Sequence, residues 1–271
     1  MAKYSYIKVR TALSASRLPD IKYAFNPYVG CAHGCIYCYA PDFCKKYQEI
    51  SYNWGSTVYI KENIIEVLKK DVRRLRPGVV GVSTITDPYQ PIEAEEELTR
   101  NAIKTLSQHG FKISIQSKSP LVLRDLDIIN PKNFDIGFTI TTLRDSLARE
   151  IEPNAPPPTQ RAKAAYEVSK YGVDMWIFLG PIIPLVNEYE DIIEEVVEFT
   201  SSVNSYLIYD KLNVKPVMKH NMRMKWKLKV DVNEVLGLSM NANYFKKISR
   251  LVEDLCKKHK VRCLPAFNTI I

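Results

Sequence analysis

The stretch NPYVGCAHGCIYCYAPDFCKKY, residues 26–47, holds four of the six cysteines in the 271-residue chain. Cys31, Cys35 and Cys38 are spaced C-x3-C-x2-C, His33 sits inside that loop, and Cys44 follows six residues after Cys38. Cysteines packed this closely, in a chain expected to be cytoplasmic, point to metal binding rather than to a disulfide scaffold. Structural zinc closes its site with four ligands, so a zinc reading needs His33 or Cys44 as the fourth, at a spacing unlike the usual paired ligands. Three thiolates suit a [4Fe–4S] cluster with one iron left open for a small chelating ligand.

Outward from the loop, short apolar runs rich in β-branched residues alternate with longer amphipathic stretches. Residues 23–30 read as a strand entering the cysteine loop. Further strands are expected at 79–84, 112–117, 134–141, 173–183, 206–214 and 261–267. Helices are expected at 62–75, 93–110, 159–172, 188–202 and 241–259, with a helix-like return at 120–130. Continuous apolar strands imply a parallel sheet covered by helices. About six β/α units follow, and the expected fold class is α/β, a parallel partial (β/α)6 barrel. The proline-rich EPNAPPPTQ (152–160) reads as a stiff loop, not a boundary. One domain is expected over 1–271, with its core at about 20–215 and a basic segment with a closing helix and strand at 216–271. In such folds chemistry gathers at the carboxyl ends of the strands, where the cysteine loop, TDPYQP, SKSP, TTLR and GPIIP all fall.

Net charge is +8. A basic balance favours anionic partners such as nucleic acid, against the plainer reading of a solvated lysine-rich surface. Much of the excess is local: Lys215, Lys219, Arg223, Lys225, Lys227 and Lys229 follow one another with no acid between 215 and 230. No run of 18 apolar residues is present, so no membrane span is expected. The polar MAKYSYIKVRTALSASRL does not read as a secretory signal, so a cytoplasmic protein is expected.

Several motifs occur together and in order: NPYVGCAHGCIYCYA, TDPYQPIE, SKSPLVLRDLDII, TTLRDSLAREIEPNAPPPTQR and GPIIPLVN. Over roughly residues 20–190 the chain resembles the radical S-adenosylmethionine superfamily, and within it the proteins related to spore photoproduct lyase. The resemblance implies a radical SAM type of barrel and a lyase-like enzyme. It implies Cys31, Cys35 and Cys38 as ligands of a [4Fe–4S] cluster and S-adenosylmethionine bound at the open iron. It also implies an electron donor such as flavodoxin or ferredoxin, and a nucleic acid or nucleotide-like anion as substrate; a small metabolite, a peptide, or a non-catalytic iron–sulfur protein are the other readings.

The same resemblance sets Tyr37 against the adenine and Thr86, Lys118 and Thr139 at the strand ends that face the cofactor. Lys118 suits the carboxylate of the bound methionine, its plain alternative being a surface lysine. Tyr39 flanks the third cysteine as cofactor contact or core aromatic. Thr141 shares a face with Thr139. Asp87 reaches cofactor or serves as a turn residue, and Gly180 permits close backbone approach to the adenine.

One departure is plain. The lyase carries a hydrogen-donating cysteine at the end of its second strand, and STITDPYQ (83–90) has none. Cys263 in a closing strand and Tyr89 in the second loop are the substitutes the sequence offers, against the plainer reading of Cys263 as a buried structural thiol.

Overall fold

The structure, a computed structural model, describes residues 2–267. The chain starts with β1 (Lys3–Ile7) and β2 (Leu13–Ala15). β3 (Tyr23–Phe25) pairs antiparallel with β2, and Asn26-Pro27 then turns the chain into β4 (Tyr28–Val29). After helix α1 (Gln48–Tyr52), β5 (Thr57–Lys61) pairs with both β4 and β1, making a small separate sheet of order β1-β5-β4. The single strand expected at 23–30 is therefore two strands in two sheets. Pro27 has no amide to donate to a strand ladder, so the pairing is interrupted there.

Five βα units follow. Helix α2 (Ile64–Arg74) leads to β6 (Val79–Val82), and α3 (Glu93–Glu96) and α4 (Leu98–Gln108) lead to β7 (Lys112–Ser117). A 3-10 segment, Pro120–Asp127, precedes β8 (Phe134–Thr139). Helices α5 (Asp145–Ile151) and α6 (Pro158–Ser169) precede β9 (Asp174–Ile182), and α7 (Glu190–Ser202) precedes β10 (Tyr206–Lys211). Helices α8 (Pro216–Lys225), α9 (Val232–Ser239) and α10 (Ala242–Lys258) end at β11 (Cys263–Pro265). The main sheet runs β11-β10-β9-β8-β7-β6-β3-β2, parallel except at β2, and does not close. It is a partial barrel of the expected α/β class.

Alternation along the strands decides which face is core. Ile113 and Ile115, Ile136 and Phe138, Ile177 and Leu179, and Leu207 and Tyr209 are buried on the helix-covered side. Burying each such side chain is worth about 1.5–3 kcal/mol. Their neighbours Ser114 and Gln116, Asp135, Phe178, Ile208 and Asp210 turn to the concave side, and all are partly exposed. The concave side thus mixes polar Ser114, Gln116, Asp135 and Asp210 with apolar Phe178 and Ile208.

The helix expected over 93–110 is broken at Glu97, which adopts a left-handed φ of 50°. The cause is Glu93, fully buried, whose carboxylate accepts the amides of Thr99 at 3.0 Å and Arg100 at 3.2 Å and so caps α4. Tyr28 and Arg124 complete the pocket for its charge.

A disulfide, Cys256–Cys263, closes the turn from α10 to β11. The expectation that Cys263 donates hydrogen is corrected here: a sulfur bonded to sulfur has no hydrogen to give, and β11 is the edge of the sheet. Cys256→Ser is expected to lower the unfolding free energy by about 2 kcal/mol through a looser unfolded chain. Denaturant titration under oxidising conditions measures this; an unchanged midpoint would remove the staple from the account.

Candidate active site

The cysteine loop lies between β4 and α1 and is clamped from the second loop of the sheet. Thr86 donates to the carbonyl of Gly30 at 2.6 Å, and the Gln90 carboxamide accepts the Ala32 amide at 2.9 Å while donating to Thr86 at 3.0 Å. Gly30 has a φ of +91°, and a Cβ there would lie 2.6 Å from the Thr57 carbonyl. The glycine is therefore required by β5 packing as well as by the turn.

Cys31, Cys35, Cys38 and Cys44 are free thiols, three of them buried and Cys38 partly exposed. Burial pushes the Cys35 thiol up to about 11 and the Cys38 thiol up to about 12. Such groups are poor nucleophiles until a cation compensates the thiolate charge. Among the described residues, the three-ligand group whose atoms all close within 4.8 Å is Glu194, Glu198 and His259, on the far helical layer. Three free thiols on one loop are the donor set of an iron–sulfur cluster with one open iron, while zinc would need a fourth ligand.

Around the loop sits a buried charge network. Tyr37 donates to Glu152, which also accepts from Thr141 at 3.2 Å. Arg161, fully buried, meets Glu152 at 2.5 Å and donates to the carbonyls of Pro156 at 2.7 Å and Thr139 at 3.2 Å. Burial works against the Glu152 charge, but Arg161, Lys118 and the Tyr37 hydroxyl outweigh it and hold the carboxyl below its ordinary range. Lys118 lies over the Tyr37 ring, 5.7 Å from its centre. Burial opposes its charge too, yet Cys35 and Glu152 outweigh that and raise its pKa.

Asp87 ties three segments together. It accepts the amides of Tyr89 and Lys118, each at 2.9 Å, and the Ser117 hydroxyl at 2.8 Å, and faces His33 Nδ1 at 3.5 Å. Its oxygens are committed to placing Lys118 and the loop. Tyr89 is buried and donates to Asp125 at 3.0 Å, so the structure spends its hydroxyl hydrogen on a buried carboxylate. Thr139 accepts from Gln116 at 3.0 Å on the concave face. Tyr39 is 40 % exposed and donates to the Thr84 carbonyl at 2.7 Å. Above Gly180 the space a Cβ would take is filled by the Phe178 ring, at 2.4 Å. Close approach is real there, but in this structure it serves an aromatic side chain of the same strand.

Glu152, Arg161 and Asp210 were not anticipated from sequence. Arg161 had a signal: with Ala164, Ala165 and Val168 it falls on the buried face of α6, where an arginine must have a buried partner. Asp210 ends β10 at an irregularity, where Tyr209 pairs with Leu179 but Lys211 with Ile182. Such a bulge re-aims a side chain. Asp210 accepts from Asn213 at 2.7 Å, and burial pushes its carboxyl up to about 6.

The sign of the Asp210 effect follows. An unfolded carboxyl titrates near 3.8 and the folded one near 6, so the charged form carries a cost only in the folded chain. That cost is absent below the lower value and complete above the higher, so stability falls as pH rises through the window. Asp210→Asn is expected to stabilise the protein by about 2 kcal/mol at pH 8 and by almost nothing at pH 4. Urea unfolding at the two pH values decides; equal gains at both would contradict it.

The family model described as the radical SAM superfamily matches residues 25–200. An uncharacterized protein of Methanocaldococcus jannaschii is 32% identical over 255 residues, covering 93% of each chain. A solved structure of spore photoproduct lyase, with bound AdoMet and dinucleoside spore photoproduct, superposes with a TM-score of 0.74 at 14% identity, over 98% of this chain and 82% of that one. Streptococcus suis SuiB bound to S-adenosylmethionine matches at 0.56 and 14% identity, over 89% of this chain and 49% of that one.

Proposed function

The chain belongs to the radical SAM superfamily, and from that premise we propose that Cys31, Cys35 and Cys38 hold a [4Fe–4S] cluster beside bound S-adenosylmethionine, in an enzyme that takes hydrogen from a nucleic acid or a nucleotide-like anion. The observation that carries the reading is the set of three free cysteines on one clamped loop, inside the stretch that the radical SAM family model matches. Bound there, the cluster and S-adenosylmethionine would supply a one-electron reductive cleavage, to methionine and a 5′-deoxyadenosyl radical able to abstract hydrogen.

The chain's own residues do the rest. Lys118, held over Tyr37 and beside Cys35, offers a cation to a carboxylate at the loop. Glu152 and Arg161 fix Tyr37 and the end of β8, so that the ring before Cys38 has one position. Thr139, Gln116, Phe178 and Asp210 line the concave face on which a substrate would lie. The net charge of +8 supports an anionic substrate. Asp210 favours a second reading, a small metabolite or peptide that donates hydrogen bonds, because a carboxylate at the mouth repels phosphate. Steep salt dependence of oligonucleotide binding supports the first and its absence the second.

No helix of the described residues is long and apolar enough to cross a membrane. The test of the chemistry is anaerobic reconstitution with iron and sulfide, followed by reduction with S-adenosylmethionine. About four irons per chain and formation of 5′-deoxyadenosine are expected, with Cys44→Ala behaving like the unaltered protein. Tightly bound zinc, or a cluster that never cleaves the cofactor, would overturn the reading.

A further inference from the structure

An electron must reach the proposed cluster from outside the chain, and one exposed face is attached to the segment that carries Cys38. The turn Ala40–Phe43 follows Cys38 directly, and its Asp42 carboxylate accepts the amides of Val217 at 3.2 Å and Met218 at 2.9 Å at the start of α8. Val217, Met218, Asn221 and Met222 bury the inner side of α8. Its outer side carries Lys219, His220 and Arg223, in a segment without a single acid. Lys45 and Lys46, both exposed, follow the same turn.

Within this basic surround lies an apolar centre. Phe43 is 60% exposed and meets Tyr39 edge-on with ring centres 5.9 Å apart. The Lys215 ammonium is 5.9 Å from the Phe43 ring, a cation–π contact.

We propose that this face docks an acidic protein bearing a low-potential one-electron centre, of ferredoxin or flavodoxin type, and that the electron enters through the 38–43 turn. The proposal rests on Cys31, Cys35 and Cys38 being cluster ligands. One electron leaves the donor's centre, which is oxidised, and one is gained by the cluster; no bond is made or broken and no proton moves. A protein partner is favoured over nucleic acid because the aromatic centre sits on the cysteine segment itself. Small apolar contacts within a charged rim suit brief redox encounters, which are weak and below roughly 1,200 Å². Opposite charge there raises the encounter rate more than the affinity.

The test uses the reconstituted enzyme, an acidic ferredoxin and the Lys219→Glu/Arg223→Glu double variant. Stopped-flow bleaching of the cluster should show ferredoxin reducing the unaltered protein at a rate that falls with salt. The double variant should be about tenfold slower at low salt and equal to the unaltered protein at high salt. Reduced methyl viologen, a small cation, should reduce both alike, and iron content should match. Anisotropy titration of labelled ferredoxin with the protein as isolated reads docking without any cluster, so a failed cluster and a failed surface are told apart. Phe43→Ala, which keeps every charge, should also slow the reaction and weaken the titration. Unchanged binding and unchanged rates in these variants would overturn the proposal. So would a double variant that keeps ferredoxin but loses a single-stranded oligonucleotide, which would assign the face to nucleic acid.

Discussion

Replacing Cys35 by alanine is expected to abolish reductive cleavage of S-adenosylmethionine, a fall of about a hundredfold or more, and to leave the fold standing. Loss of a group that merely orients a ligand already costs about 10–100-fold in a metal site, and loss of a ligand itself costs more. The Cys35 side chain is small and packs with Ile36, Tyr37 and Ile151 in a satellite cluster, not in the main core. Its truncation therefore removes little apolar area, and the melting curve of the metal-free protein should barely move. Iron per chain, visible absorption and 5′-deoxyadenosine are the three readouts. A Cys35→Ala protein that holds four irons and still forms 5′-deoxyadenosine would sink the assignment of the ligands.

Arg161→Met is expected to destabilise the protein by about 3–5 kcal/mol. The methionine nearly matches the arginine in length and fills the site. It leaves Glu152 charged, without exposure to water, and with only the Tyr37 and Thr141 hydroxyls and nearby Lys118 to answer it. The carbonyls of Pro156 and Thr139 lose their donor as well. Changing Glu152 to Gln in the same protein should recover part of the loss, because the uncompensated charge goes with it. Urea unfolding of the two single variants and the double gives the coupling. A loss under 1 kcal/mol for Arg161→Met would mean that the pair is not buried as described.

Cofactor chemistry was legible in the sequence because it is local. Thiolate spacing within eight residues restricts what those residues can hold, whatever the rest of the chain does. The βα alternation was legible for a related reason: hydrophobic period belongs to each segment. Strand β7 and helices α2, α7 and α10 lie where the periodicity places them, within two residues at each end. The family resemblance extended this to Lys118 and Tyr37, which the fold brings together at the cysteine loop.

What local pattern could not reach is every feature that depends on a distant partner. Residues 23–30 read as one strand, and only the position of β5 sends the two halves to different sheets. Glu93 looked like the opening of a long helix. It turns inward because Tyr28 and Arg124, far away in sequence, make a buried place for its charge. Cys263 looked available as a thiol until α10 brought Cys256 beside it. KISIQS and FDIGFTIT read as apolar throughout because they are rich in isoleucine and phenylalanine; the open sheet leaves Ser114, Gln116 and Asp135 partly exposed on its concave side.

The sequence by itself determined that this chain alternates strands and helices and gathers three thiolates on one loop, since backbone preference and ligand spacing act over a few residues. Only the tertiary structure decided that Glu152 faces Arg161, that Asp210 ends at the mouth of the open sheet and that a basic helix is fastened to the cysteine segment. A charge can be buried, or a cation held at a surface, only where another part of the chain compensates it, and which part that is depends on the fold.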